Sequence, residues 1–271
     1  MTKASRLSRS GIEYIVNPDG SRGYTWGIYS GCENRERGIC PVPNCWGRII
    51  TRRFPKHYPD GFNPHIYPEA LLSPLSIKKP ATIAVGWVGD LIGYADPDST
   101  AYDKIGLAVR FKDFLYATIS TCTRHRFLFL TKNPERLHLW SPFPDNAWVG
   151  VIATDAESCL RALRGLEVIK ACRKYLSLEP LLNRIGGAWL EEWLKAGILD
   201  WVGIGAQSNP TVLPSIEWVR EIIKACDRVG IPVWLKNNLK PLIEQAGFAA
   251  TEWVQCKYPV LRQELPEGIR R

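Results

Sequence analysis

The strongest constraint on this chain's fold is a succession of short, nearly unbroken apolar runs separated by helix-like stretches. The runs lie at Tyr24 to Tyr29, Ile83 to Val88, Arg126 to Leu130, Ala147 to Ile152, Tyr175 to Leu178, Trp201 to Gly205 and Val233 to Leu235. They are continuous rather than alternating, which matches strands covered on both faces, as in a parallel sheet flanked by helices. Between the last two runs, Ser215 stands where a helix N-cap belongs. Ile216, Val219, Ile222, Ile223 and Cys226 then share one helical face, and Gly230 supplies a stop. Phe111 to Thr121 and Glu157 to Cys172 carry weaker helical patterns. The alternation predicts an α/β fold with parallel strands, a complete or partial (β/α) barrel rather than an open doubly wound sheet. No Gly-rich phosphate-binding fingerprint follows the first run, so a dinucleotide site loses most of its support.

At 271 residues the chain is long enough for one such domain, expected from residue 24 to 271. Residues 1 to 23 are polar and basic, with a turn signal at Pro18 to Gly20, and read as an entry segment. No long apolar run and no secretory segment occurs, so a soluble, cytoplasmic protein without a membrane partner is expected. Lys and Arg number 35 against 27 Asp and Glu, a net charge of +8 that favours an anionic partner such as nucleic acid. Trp26, Trp46, Phe54, Tyr58 and Phe62 interleave with basic residues, as stacking and phosphate-binding groups would.

The chain has 8 cysteines. In a protein without a secretory signal these are thiols or ligands rather than disulfides. Cys122, Cys159, Cys172, Cys226 and Cys256 are scattered among apolar neighbours and read as small buried hydrophobes. Cys32, Cys40 and Cys45 instead crowd into one loop, "SGCENRERGICPVPNCWGR", residues 30 to 48. Two thiols would suit a redox pair and four a closed zinc site, whereas three leave a metal or cluster with an open coordination position. Arg35, Arg37, Arg48, Arg52 and Arg53 would offset anionic charge there, and His57 and His65, the nearest imidazoles, fit no standard zinc spacing. The residues by themselves leave an iron–sulfur cluster, a zinc ion and unligated thiols open.

A parallel barrel builds its active site from the C-terminal ends of its strands. The polar residues that follow the runs are Gly89 and Asp90, Thr131 and Lys132, Ser177 and Glu179, Gln207 and Ser208, and Lys236, Asn237 and Asn238. Turn and cap chemistry would also place such residues after strands, but their recurrence at successive strand ends points to a shared pocket.

Seven segments in order, "YPDGFNPHIYPEALLSPL", "VGDLIG", "FLFLTKNPERL", "PDNAWVGV", "LSLEPLL", "IGAQSNP" and "GIPVWLKNNL", resemble a phage-associated family of unknown function (DUF5131) from about Tyr24 to Leu239. Its members carry a three-cysteine loop and are similar to radical S-adenosylmethionine enzymes, distantly to spore photoproduct lyase. The resemblance implies a radical-SAM-like barrel in which Cys32, Cys40 and Cys45 hold a 4Fe-4S cluster with one iron open to S-adenosyl-L-methionine. It further implies an external electron donor, and a 5′-deoxyadenosyl radical that abstracts hydrogen from a nucleic-acid or nucleotide-derived substrate, in DNA repair or modification. Gly89 and Asp90 would stand for the segment that receives the methionine amino group, and Lys132 for a strand-end lysine that pairs with its carboxylate. Ser177, Glu179 and Gln207 would complete the cofactor pocket, with Lys236 and Asn238 facing substrate. The spacing here, Cys32-x7-Cys40-x4-Cys45, is longer in both arms than the usual radical motif.

Two other readings fit the same residues. One is a zinc- or cluster-stabilised nucleic-acid-binding module without catalysis. The other is a barrel enzyme that needs no cluster and uses Lys132 or Lys236 with Glu179 as acid and base.

Overall fold

A computed structural model describes residues 6–102, 108–246 and 261–266. The chain divides into two compact units, one made by Met1–Val149 and Val168–Cys172, the other by Gly150–Glu167 and Arg173–Arg270. Each is a mixed α/β body built on mostly parallel strands.

In the first unit the main strand order is β1-β2-β5-β9, where β1 is Leu7–Arg9, β2 Tyr24–Trp26, β5 Thr82–Val85 and β9 Arg126–Thr131. β2 pairs parallel with β5, and β5 parallel with β9, while β1 runs antiparallel along β2. A smaller sheet places β3 (Tyr29–Gly31) between β4 (His65–Ile66), antiparallel, and β6 (Val88–Gly89), parallel. β7 (Thr100–Tyr102) and β8 (Ala108–Arg110) form a separate antiparallel pair. The helices here are α1 (Trp46–Arg53), α2 (Leu91–Tyr94), α3 (Phe111–Thr121) and α4 (Leu137–Trp140).

Two runs that read as single strands are each broken into two. Tyr24 to Tyr29 divides into β2 and β3, and Ile83 to Val88 into β5 and β6. Gly86, at φ +70°, turns the second run where its N–H donates to the Trp26 carbonyl at 2.9 Å, a conformation that only glycine adopts without strain. The break lets β3 and β6 pair with each other away from the main strands, and the cysteine loop departs from the end of β3. Trp26 is fully buried, donates its indole N–H to the Ala70 carbonyl at 2.8 Å and packs on Phe127 at 5.8 Å. It is therefore core rather than a stacking surface. Phe111, Tyr116, Phe129, Trp140 and Phe143 form a second aromatic group under α3.

β10 (Ala147–Ile152) carries the boundary between the units. In the second unit the order is β11-β12-β15, parallel throughout, with β11 at Arg173–Leu178, β12 at Trp201–Ile204 and β15 at Val233–Leu235. β13 (Gln207–Ser208) and β14 (Thr211–Val212) make a short hairpin. The helices are α5 (Ala156–Glu167), α6 (Ala188–Lys195), α7 (Ile216–Val229) and α8 (Lys240–Ala246). α7 follows the sequence reading closely: the Ser215 side chain caps Glu217 N–H, Val219, Ile222, Ile223 and Cys226 are buried, and Gly230 ends the helix at φ +74°. Tyr175, Trp201 and Trp234 pack in series, the first pair tilted and the second edge-on, and Trp201 donates to the Glu264 carbonyl at 2.8 Å.

Three expectations need correction. No closed barrel forms among the described residues, since the strand order within each unit is linear. In the first unit β1 occupies the free edge of β2, the edge that a closing strand would need. The N-terminal segment is more than an entry: it supplies β1, and Tyr14 and Ile15 are buried. Cys122, Cys159 and Cys226 are buried as expected, but Cys172 is exposed, because α5 ends at Glu167 rather than continuing to it. Cys256 lies outside the described residues. No helix among the described residues is long and apolar enough to cross a membrane.

His125, 3% exposed, gives the first unit a pH dependence. Its Nε2 lies 3.1 Å from the Ile77 carbonyl, while its buried Nδ1 has no hydrogen-bond partner among the described residues. A second proton would sit on that partnerless nitrogen. Burial accordingly pushes the imidazole below its ordinary value, and the Arg124 charge adds to this against the pull of the carbonyls. The unfolded chain then binds more protons than the native one as pH drops below about 6.5, so stability is lost in that window. Urea unfolding between pH 7 and pH 5 should show this loss, and His125→Gln should flatten it; an equally steep dependence in the variant contradicts the assignment.

Candidate functional site

The first unit gathers its polar strand ends around one carboxylate. Asp90 follows β6, is 4% exposed and caps α2. Its Oδ1 accepts from the Thr131 hydroxyl at 2.6 Å and Gly93 N–H at 3.0 Å. Its Oδ2 accepts from Asn34 Nδ2 at 2.8 Å, Asn133 Nδ2 at 2.9 Å and Lys132 N–H at 2.9 Å. A carboxylate offers about four lone-pair sites, so these donors saturate it. Asp90 therefore acts as an organiser, with no acceptor capacity left for a ligand's amino group.

Asn34 carries that order into the cysteine loop. Its Oδ1 accepts from Asn133 Nδ2 at 2.6 Å and the Tyr94 hydroxyl at 2.8 Å. Burial pushes the Tyr94 phenol up to about 12, which keeps it a donor at neutral pH. The Asn34 carbonyl accepts from Ile39 N–H at 2.7 Å and Cys40 N–H at 3.0 Å, closing the first arm of the loop. The Asn34 N–H donates to Cys32 Sγ at 3.3 Å. One side chain and its backbone thus tie Cys32 and Cys40 to Asp90.

Glycines set the path of the loop. Gly31, at φ +92°, and Gly89 face each other across β3 and β6, and a Cβ on Gly89 would overlap the Gly31 backbone. Gly89 therefore permits the close approach from which Cys32 emerges. Cys45 is the N-cap of α1 with no side-chain cap bond, so its sulfur is not spent on the helix.

All three loop cysteines are half-buried free thiols. Burial pushes the Cys32 thiol up to about 12; the Asp90 carboxylate and the Cys40 and Cys45 thiols add to the shift, and the Asn34 N–H opposes it. The other two sulfurs are therefore within electrostatic reach of Cys32. The donor set suits a thiolate-ligated iron site in its chemistry: three soft ligands on one loop, and an N–H aimed at a ligand sulfur, as tunes such clusters. It does not suit a closed zinc site, since His65 pairs with Asp60 at 2.7 Å and His57 is exposed. Among the described residues no group of three His, Cys, Asp or Glu side chains converges to metal-holding geometry. A cavity of about 440 Å³ adjoins Cys32, walled also by Arg48, Thr51, Arg52, Phe62 and Asn63.

Lys132 is half-buried, and its ammonium has no partner among the described residues. The remaining expected site residues lie in the second unit, at the ends of β11, β12 and β15. Glu179 forms an ion pair with Lys236, with side chains 24% and 15% exposed. Gly205 is pressed against both, since a Cβ there would come within 3.1 Å of Glu179 Cγ and Lys236 Cδ. Asn238 clips the chain after β12, accepting from Ala206 N–H at 3.0 Å and donating to the Ala206 carbonyl at 2.7 Å. Gln207 donates to the Pro210 carbonyl at 2.9 Å. Ser177 is buried within β11, its carbonyl accepting from Ala153 N–H at 3.0 Å.

Sequence reasoning missed Asn34, Tyr94 and Asn133. Asn34 lies inside the cysteine loop and Asn133 directly after Thr131 and Lys132, so the strand-end rule extended by one residue would have reached Asn133.

A family model described as protein of unknown function (DUF5131) matches residues 10–241. No curated protein and no solved structure matches the chain.

Removing the organising carboxylate should cost heavily, because Asn34, Thr131 and Asn133 would keep buried donors with no acceptor. Asp90→Ala should lower unfolding free energy by about 3 kcal/mol and raise the rate at which iodoacetamide reaches Cys32. A loss below about 1 kcal/mol would mean that the carboxylate is readily replaced by water and is free to meet a ligand.

Proposed function

Because that match spans most of the chain, the protein belongs to the DUF5131 family, and we propose that it is a radical S-adenosylmethionine enzyme whose Cys32, Cys40 and Cys45 hold a 4Fe-4S cluster. The observation that carries this reading is the cysteine loop itself: Cys40 and Cys45 lie within electrostatic reach of Cys32, and the Cys32 sulfur accepts a backbone N–H. When bound, the cluster and S-adenosyl-L-methionine supply one-electron cleavage of a sulfonium bond and a hydrogen-abstracting 5′-deoxyadenosyl radical, given an external electron donor.

The chain's own residues have narrower tasks. Asn34 and Asp90 hold the loop in place, and Gly31 and Gly89 set where Cys32 leaves the sheet. Lys132, whose backbone N–H is held by Asp90 and whose ammonium has no partner among the described residues, is the side chain suited to a ligand carboxylate. The net charge of +8 suits a nucleic-acid or nucleotide-derived substrate.

The test is anaerobic reconstitution with iron and sulfide, addition of S-adenosyl-L-methionine and dithionite, and quantification of 5′-deoxyadenosine. The wild type should form it and Cys40→Ala should not. One zinc per chain with no iron, and no product, would overturn the enzyme in favour of a metal-stapled binding module.

A further inference from the structure

α1 turns one face inward, where Gly47 and Thr51 are buried and a Cβ on Gly47 would come within 2.6 Å of the Phe62 ring. What remains outside is unusual for a protein surface. Trp46 is 55% exposed, Ile49 46% and Phe54, at the helix C-cap, 43%. Large apolar side chains normally find cover, and clustered exposed ones mark an interaction surface.

Cations stand among them. Between Trp46 and His57 the chain carries Arg48, Arg52, Arg53 and Lys56 and no acidic residue. Arg48 is paired with Glu36. Arg52, Arg53 and Lys56 are exposed, and none has a carboxylate partner among the described residues. The nearby carboxylates are already engaged, Glu33 with Arg37 and Asp60 with His65. The Arg53 guanidinium lies 5.5 Å from the Phe54 ring centre, so aromatic and cationic groups alternate over one short stretch.

We infer that this face of α1 binds single-stranded nucleic acid, with a base stacked on the Trp46 indole and phosphates met by Arg52, Arg53 and Lys56. Unpaired bases expose π-faces that an indole can cover, whereas the faces of duplex bases are already stacked. Three cations with no carboxylate partner supply the phosphate contacts. A lipid surface fits less well, because the apolar footprint is two side chains on an eight-residue helix and a third at its C-cap. Arg52 also lines the cavity beside Cys32, whose wall carries Glu33, Glu36 and Arg48. The inference gives a surface to the nucleic-acid partner of the proposed function and does not rest on its redox chemistry.

The test uses the metal-free full chain, so its failure and a failure of the redox reading are separate results. A fluorescent oligothymidylate of about a dozen nucleotides, a duplex of equal length and phosphatidylserine vesicles are titrated at about 50 to about 200 mM salt. The single strand should bind best, and Trp46→Ala should weaken it about tenfold or more. Arg52→Ala/Arg53→Ala should lower the slope of log affinity against log salt by about 1.4, because two phosphates of the strand would keep their counterions. Leu75→Ala, at an exposed apolar residue elsewhere, should change nothing, and circular dichroism confirms that each variant folds. The inference is overturned by absence of strand binding at low salt, by equal effects of Leu75→Ala and Trp46→Ala, by duplex binding indifferent to Trp46→Ala, or by binding to vesicles alone.

Discussion

One buried carboxylate organises the first unit. Asp90 collects donors from the loop after β3, from α2 and from the end of β9. An ionised group taken out of water is tolerated only when its acceptor positions are filled, so the charge and the geometry enforce each other. Removing any one donor leaves the rest of the cluster less well satisfied, which is why such networks are rigid. Asn34 sits between this anchor and the cysteines and passes the rigidity on through its N–H to Cys32 and its carbonyl to Cys40. Elsewhere the cysteine loop is held by exposed contacts, Arg35 to the Pro43 carbonyl and the Arg37–Glu33 and Arg48–Glu36 ion pairs.

In the second unit the same kind of strand ends carries a different chemistry. Glu179 and Lys236 neutralise each other against the bare backbone of Gly205, and Asn238 holds the following turn. These residues are largely occupied by one another. Polar side chains at strand ends can thus be turn chemistry in one unit and the frame of a candidate site in the other; the difference lies in whether a thiol cluster and a cavity adjoin them.

Much of this was legible in the chain. α7 could be read whole, because its cap, apolar face and glycine stop are local signals, and the continuous apolar runs located the main strands because burial on both faces leaves a mark at each position. The break between β5 and β6 was not legible, since a glycine at positive φ such as Gly86 looks like any other glycine within an apolar run. Asp90 could be singled out as a strand-end residue, but its partners could not: Asn34 and Asn133 meet across 99 positions, a pairing that no periodicity encodes. Trp26 and Trp46 were indistinguishable as aromatics beside basic residues. Their opposite fates, one in the core and one in solvent, follow from their elements, β2 within the main sheet and the start of α1.

The central claim is that the loop fixed by Asp90 and Asn34 presents its three sulfurs to a cluster with an open iron. Electron paramagnetic resonance of the reconstituted, dithionite-reduced protein tests it most directly, recorded before and after adding S-adenosyl-L-methionine. The account predicts the signal of a reduced 4Fe-4S cluster whose shape changes on that addition, because the ligand meets the open iron. A protein that assembles no cluster, or one whose signal is indifferent to S-adenosyl-L-methionine, would contradict it.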